Sequence, residues 1–149
     1  MIYLASPYSH EDADVREYRY VQACKAAAAL IRQGGVVFCP IAHSHGIAVH
    51  GGIGGEWDIW KEMDEHFLKL CNLMSLVGVC SSLVILTLEG YDRSEGIKAE
   101  VKIAQRYHIP IEYMEPVDGI ESQGGSDSQG LRRWVQTMAD RERPEDQHP

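Results

Sequence analysis

No segment of this sequence is apolar for long enough to cross a membrane. The longest candidate, LMSLVGVCSSLVILTL at residues 73–88, covers 16 residues and is interrupted by serines, short of the ~20 apolar residues a spanning helix needs. The opening MIYLASPYS has no basic stretch ahead of an apolar one, so it does not read as a secretory signal. Positive charge is also scarce. Lys and Arg total 14 against 22 Asp and Glu, a formal net charge of -8, which argues against a broad phosphate-binding face for polymeric nucleic acid. A single phosphate stays within reach, because helix N–H groups and one local cation hold it without any global positive charge. No CxxC pair occurs: Cys24, Cys39, Cys71 and Cys80 lie apart in apolar runs. Buried reduced thiols fit that spacing better than disulfides or a zinc site, and they point to a cytoplasmic protein. No internal repeat is present.

What is there is one domain's worth of chain, 149 residues with 44% hydrophobic content. MIYLAS predicts a strand over Ile2–Ala5, which leaves no room for a preceding domain, and SPYSH ends it. Residues 10–35 predict a helix, acidic at its start, alanine-rich in its middle and closed by Gly34 and Gly35. VVFCPI predicts a second strand closed by Pro40, and AHSHGIAVHGGIGGEWD at 42–58 a long loop rich in His and Gly, of the kind that is more often functional than idle. Trp57, Trp60, Met63, Phe67 and Leu70 share helical spacing, with Glu62, Asp64 and Glu65 on the polar face. SSLVILTL is a continuous apolar run, as a parallel strand covered on both faces requires. SEGIKAEVKIAQRYH predicts an amphipathic helix with Ile97, Val101 and Ala104 on one stripe, and IPIEYME a last strand. The alternation β-α-β-α-β-α-β implies a doubly wound, mostly parallel α/β sheet in three layers, α/β/α. That domain ends at residue 115. Residues 116–130, VDGIESQGGSDSQG and its neighbours, have the composition of a flexible linker. Residues 131–149 place Leu131, Trp134, Val135 and Met138 at helical spacing, predicting a short helix against the domain or a neighbouring subunit, then a disordered tail.

Ligands of open α/β sheets bind at the carboxyl ends of the strands. Two polar strand ends converge there in this reading: YLASPYS, with Ser6, and EGYDRSEG, with Asp92, Ser94 and Gly96. The helix starting near Ser94 would aim its unpaired N–H groups at that crevice and could dock an anion. Glu100 follows Ser94 by six residues. It would stand near that anion, as suits a carboxylate attacking a carbon one sugar away from a phosphate.

IYLASPYS, an acidic residue on the second predicted helix and GYDRSEGIKAE together resemble the nucleoside 2-deoxyribosyltransferase superfamily. The nearest likeness is to a small branch that opens on LASPYS and carries Gly-Trp-x-x-Ser-x-Gly-x-x-x-Glu, here with Tyr91 in place of tryptophan. The resemblance runs from residue 1 to about residue 114. It implies Glu100 as nucleophile on the anomeric carbon, Tyr3 as the group that holds that carboxylate, and Asp64 as the residue at the base side. In that superfamily the deoxyribosyltransferases carry an aspartate six residues before the nucleophile and the nucleotide N-glycosidases a serine. Ser94 stands there, and a serine hydroxyl beside helix N–H groups donates to a 5'-phosphate that an aspartate would repel.

The expectation is therefore a nucleoside 5'-monophosphate N-glycosidase without metal or organic cofactor. Its partner is a small nucleotide or nucleoside, with no polymeric nucleic acid and no membrane. A deoxyribosyltransferase and a non-catalytic nucleotide-sensing module are the alternatives. Among His43, His45 and His50, a His-x-His without a third acidic or thiol partner is a poor metal site, and a histidine of this group, His43 foremost, is expected at the base pocket. Each site residue also has a plainer role: Glu100 and Asp64 as solvated helix acids, Tyr3 as a core ring, Ser94 as an N-cap, and Asp92 and Arg93 as solubilising charges, with neutralisation of a phosphate as the other reading of Arg93. Surplus apolar surface on the tryptophan-bearing helix, together with the resemblance, implies a homodimer or higher homo-oligomer.

Overall fold

The run SLVIL forms β3 (Ser82–Leu86), and all of its residues are buried. Such a strand needs cover on both faces. It receives neighbours on both edges, β1 (Ile2–Ala5) and β4 (Ile111–Met114), and β1 in turn pairs with the short β2 (Val37–Phe38). A computed structural model describes residues 1–54, 56–76 and 81–117. Within them the sheet is parallel throughout, in the order β2-β1-β3-β4. The expected linker from residue 118 onward, the C-terminal helix and tail, and Cys80 lie outside the described residues.

Four helices connect these strands. Helix α1 (Ala13–Arg32) begins at Asp12, whose side chain accepts from the Asp14 N–H at 2.8 Å, and it runs into Gly34 at φ 87°. Helix α3 (Trp57–Leu76) and helix α4 (Glu95–Arg106) lie close to their sequence-predicted positions. The histidine- and glycine-rich stretch differs from expectation, because most of it is helix α2 (Pro40–Gly51). Pro40 does not close a strand. It occupies the first turn of α2, where a missing N–H costs nothing. Gly52 at φ 65° ends the helix in the left-handed conformation, its N–H bonded to Ala48 O.

The order of the strands explains the layers. The chain crosses from β1 to β2 through α1 toward one edge, and from β3 to β4 through α4 toward the other. Right-handed crossovers in opposite directions put their helices on opposite faces, which is the doubly wound, Rossmann-like arrangement. Strand parity follows suit. Tyr3, Ala5, Leu83 and Ile85 form one cluster with Leu68 and Cys71 of α3 and Ile97 and Ala104 of α4. Leu4, Val84 and Leu86 alternate to the other face and are equally buried, on the side of the alanine-rich helix α1. Cys24, Cys39 and Cys71 are free thiols, the last two buried and the first half-buried.

Two glycines test this packing in opposite senses. A Cβ at Gly35 would lie 2.9 Å from Leu30 O and 3.2 Å from Ile2 Cδ1, whereas one at Gly46, inside α2, meets nothing within 4 Å. Gly46→Ala is expected to stabilise by roughly 0.5–1 kcal/mol through helix propensity. Gly35→Ala should destabilise by about 1–3 kcal/mol through overpacking. Denaturant titration of both variants measures the pair, and a Gly46→Ala variant no more stable than the parent would contradict a helical α2.

Candidate active site

A cleft of about 630 Å³ opens where the strand order reverses between β1 and β3. Asp64 and Glu100 line its floor, Tyr3 is fully buried next to them without lining it, and parity and helical spacing bring the three together. Tyr3 is an odd-numbered residue of β1 and faces α3 and α4. On α4, Glu100 falls three residues after buried Ile97 and four before buried Ala104. On α3, Asp64 falls four residues before Leu68 and seven before Cys71, both fully buried. Each helix thus turns one carboxyl into its apolar seam. Asp64 is 4% and Glu100 5% exposed, so Asp64 does not share the solvated face with Glu62. The α3 seam is rotated from the sequence expectation, leaving Leu70 and Leu73 exposed.

The Tyr3 hydroxyl donates to Glu100 Oε1 at 2.8 Å. A phenol has one proton to give, so Asp64, near enough for its charge to act on both residues, keeps its buried Oδ1 without a hydrogen-bond partner. Burial raises the Glu100 carboxyl to about 8, the Asp64 charge adds to the rise, and the Tyr3 hydrogen bond opposes it. Burial likewise raises Asp64 to about 6 against the pull of Tyr3. Tyr3 itself is pushed well above the ordinary phenol range, first by burial and then by the two carboxylates, so it remains a proton donor. Two carboxyls in one dry site do not both ionise readily. Near neutral pH the pair holds one proton and one negative charge between them.

The rim is polar. Ser94 caps α4, its Oγ accepting from the Ile97 N–H at 3.4 Å, and both Ser94 and Gly96 line the cleft. Ser6 also lines it, buried, with an unpartnered Oγ. Asp92 and His43 are not among the lining residues. Asp92 is exposed, 3.9 Å from Arg93, and exposed His43 stands 6.0 Å from the Phe38 ring. Arg93 does line the cleft, with its side chain largely in solvent.

Several lining residues were not assigned to the site from the sequence, Arg19 not at all and Trp57 and Trp60 only as apolar helix positions. Arg19 of α1 donates to Ser9 O at 2.8 Å and to Glu89 O at 3.0 Å, stapling the loop after β1 to the loop after β3. Its signal was faint, one arginine among several on a polar helix. Trp57 and Trp60 line the cleft as well. Trp60 Nε1 donates to Gly54 O at 2.9 Å, and Trp57 borders Gly96, where an added Cβ would lie 3.6 Å from Trp57 Cε3. Tryptophan placed near a helix start, with an N–H that needs a partner, is the cue that separates these rings from plain core. Among the described residues no group of three His, Cys, Asp or Glu side chains is placed to hold a metal ion, and no helix is long and apolar enough to cross a membrane.

Fold and site together define a Rossmann-like domain with a carboxyl pair under the switch point of its sheet. The chain belongs to the family described as a domain of unknown function (DUF1937), whose model matches residues 1–116. No curated protein matches it.

The buried pair makes stability depend on pH. Both carboxyls titrate higher in the folded protein than in the unfolded chain, so the folded form holds protons that the unfolded form releases. Stability is then greatest below the ordinary carboxyl range and declines as pH rises toward about 8. Glu100→Gln removes the largest such contribution. Melting temperatures from about pH 5 to about pH 9 should fall more steeply for the parent than for Glu100→Gln, and parallel curves would show that Glu100 titrates as an ordinary surface acid.

Proposed function

We propose that the protein is a nucleoside 5'-monophosphate N-glycosidase. The observation that carries this reading is the Tyr3–Glu100 hydrogen bond of 2.8 Å beside buried Asp64, at the floor of a cleft whose rim is the start of α4. Cleavage of a base–sugar bond needs a nucleophile for the anomeric carbon and an acid for the departing base. A carboxyl pair holding one proton supplies both in one of its two arrangements. The higher value of Glu100 places the pair's one proton there, so the reactive form is the one in which that proton has passed to Asp64, leaving Glu100 ionised as nucleophile and Asp64 protonated as acid. Glu100 attacks the anomeric carbon, the C–N electron pair leaves with the base, and Asp64 gives that base its proton. Asp64 then takes a proton from water, which attacks the same carbon and frees Glu100. Tyr3 steadies the Glu100 carboxylate through this cycle. The steps require no metal and no organic cofactor.

The resemblance to the nucleoside 2-deoxyribosyltransferase superfamily supports the same assignment and the choice of a phosphorylated substrate. Ser94 Oγ accepts from Ile97 N–H, so its own hydroxyl proton is left to donate outward. Together with the unpaired N–H groups of the first turn of α4, it offers a 5'-phosphate a neutral set of donors. The alternatives, base exchange by a deoxyribosyltransferase or nucleotide sensing without turnover, are separated by the products.

Incubation with nucleoside monophosphates should release free base, detected by chromatography. Glu100→Ala and Glu100→Gln should both abolish release. Ser94→Ala should lower monophosphate turnover by about one to two decades and spare nucleoside turnover, the effect of losing a charge-assisted hydrogen bond of roughly 1.5–3 kcal/mol. The rate should follow a bell in pH with limbs at about 6 and about 8, since only the singly protonated pair is active. Asp64→Asn should lose the alkaline limb. Base exchange with a second free base in place of hydrolysis would identify a transferase, and binding without release a sensing module.

We also infer assembly into a homodimer. Ile59, Leu73 and Leu76 of α3 are 49%, 56% and 74% exposed, an apolar surface of the kind that subunits cover. Light scattering at micromolar concentration should return twice the chain mass, and a monomer would refute it.

A further inference from the structure

A second polar chain runs behind one wall of the cleft and takes no part in the carboxyl chemistry. His45 Nε2 lies 3.1 Å from Glu17 Oε2, and its Nδ1 lies 3.0 Å from the Tyr8 hydroxyl oxygen. The imidazole is clamped by rings, stacked on Tyr20 at 4.0 Å and 10° and edge-on to Tyr8 at 5.8 Å and 87°. Its side chain is only 12% exposed. Of the three linked residues, Tyr8 lines the cleft and the other two do not.

The proton positions follow from what each group has to give. A carboxylate only accepts, so the nitrogen facing Glu17, Nε2, carries the hydrogen. In the neutral ring Nδ1 is then a bare lone pair, and the Tyr8 O–H donates to it. Partial burial raises the Tyr8 pKa, which keeps that proton on the phenol. With its one hydrogen committed to His45, the Tyr8 oxygen has only lone pairs to offer the cleft.

We propose that Tyr8, oriented by His45 and Glu17, is a specificity-determining hydrogen-bond acceptor that selects substrates presenting an N–H or O–H donor to this wall. The donor is either an exocyclic amine of the base or a hydroxyl of the sugar. The inference rests on the nucleotide reading above and deepens it. A substrate lacking the donor leaves the Tyr8 lone pairs unpaired, and one bearing a carbonyl there sets acceptor against acceptor.

Two matched pairs of nucleoside monophosphates test it: one base that the parent releases, with and without its exocyclic amine, and one nucleotide with and without its 2'-hydroxyl. The kcat/KM ratio of one pair should fall by about tenfold from the parent to Tyr8→Phe, the worth of one neutral hydrogen bond. The pair that responds identifies the base or the sugar as the donor's source. His45→Phe keeps a ring against Tyr20 but frees the Tyr8 proton, so it should shift the same ratio. A purely structural role would instead lower every rate together. Nitrogen-15 NMR of the full-length protein reads the His45 tautomer without any substrate, and hydrogen on Nε2 with bare Nδ1 is expected. Hydrogen on Nδ1, or base release by the parent with both ratios unchanged in Tyr8→Phe, overturns the proposal. A parent that releases base from none of these compounds removes the nucleotide reading, and this inference with it.

Discussion

The hydrogen bond from Tyr3 to Glu100 joins residues 97 positions apart, and most of the architecture serves to make it possible. A carboxyl with this little access to water is costly to ionise, and a second one beside it raises that cost. Tyr3 answers the problem with a single donated proton. To place its hydroxyl there, β1 must lie next to β3 in the sheet, and the odd-numbered face of β1 must be the face covered by α3 and α4. A one-residue slip of β1 would turn Tyr3 toward α1 and leave Glu100 without its donor. The register Tyr3↔Leu83 is therefore a condition of the site as much as of the core.

Floor and rim ask for different things, and the fold separates them along α4. Residue 94 caps the helix at the cleft mouth, where polar backbone groups are free to meet an anion, and residue 100 lies beyond the first turn, inside the apolar seam. One helix thus carries a neutral, donor-rich end and a buried acid less than two turns apart. Arg19 holds the two loops of the mouth together through their carbonyls. Its guanidinium is committed to backbone oxygens, so an anion at the mouth would be left with the helix N–H groups, the hydroxyls and the exposed Arg93.

Much of this was legible in the sequence because it depends on local pattern. The continuous run SLVIL announced a doubly covered strand, and Ser94 before an amphipathic segment announced a cap. The site acids had a clear signature in principle, a carboxylate at a position where helical spacing demands an apolar side chain. Glu100 shows it, between Ile97 and Ala104. Asp64 hid it, since the tryptophans at 57 and 60 drew the apparent seam of α3 away from Leu68 and Cys71. Helix α2 was hidden for another reason. Gly46, Ile47, Val49 and three histidines are poor helix formers, and tertiary packing against α1 and β1 overrides their preference. Pro40 was ambiguous as well, because proline ends strands and begins helices alike. The Tyr8–His45–Glu17 chain depends on how α1 and α2 pack, which no local pattern encodes.

Tyr3, buried beside the floor of the cleft, and Tyr8, on its wall, have the same polarity for the same reason. Tyr3 spends its proton on Glu100 and Tyr8 spends its proton on His45, so neither phenol donates to a ligand while those bonds last. Donors toward a ligand would come instead from Ser6, Arg93, Ser94 and the start of α4, all at the strand ends. A ligand that satisfies this distribution is itself polarised, acceptor-rich at the end near α4 and donor-bearing where it meets Tyr8. That asymmetry admits one orientation of such a ligand in the cleft and opposes its reverse. In the proposed reaction, orientation of this kind would bring one carbon of the substrate to Glu100 rather than another.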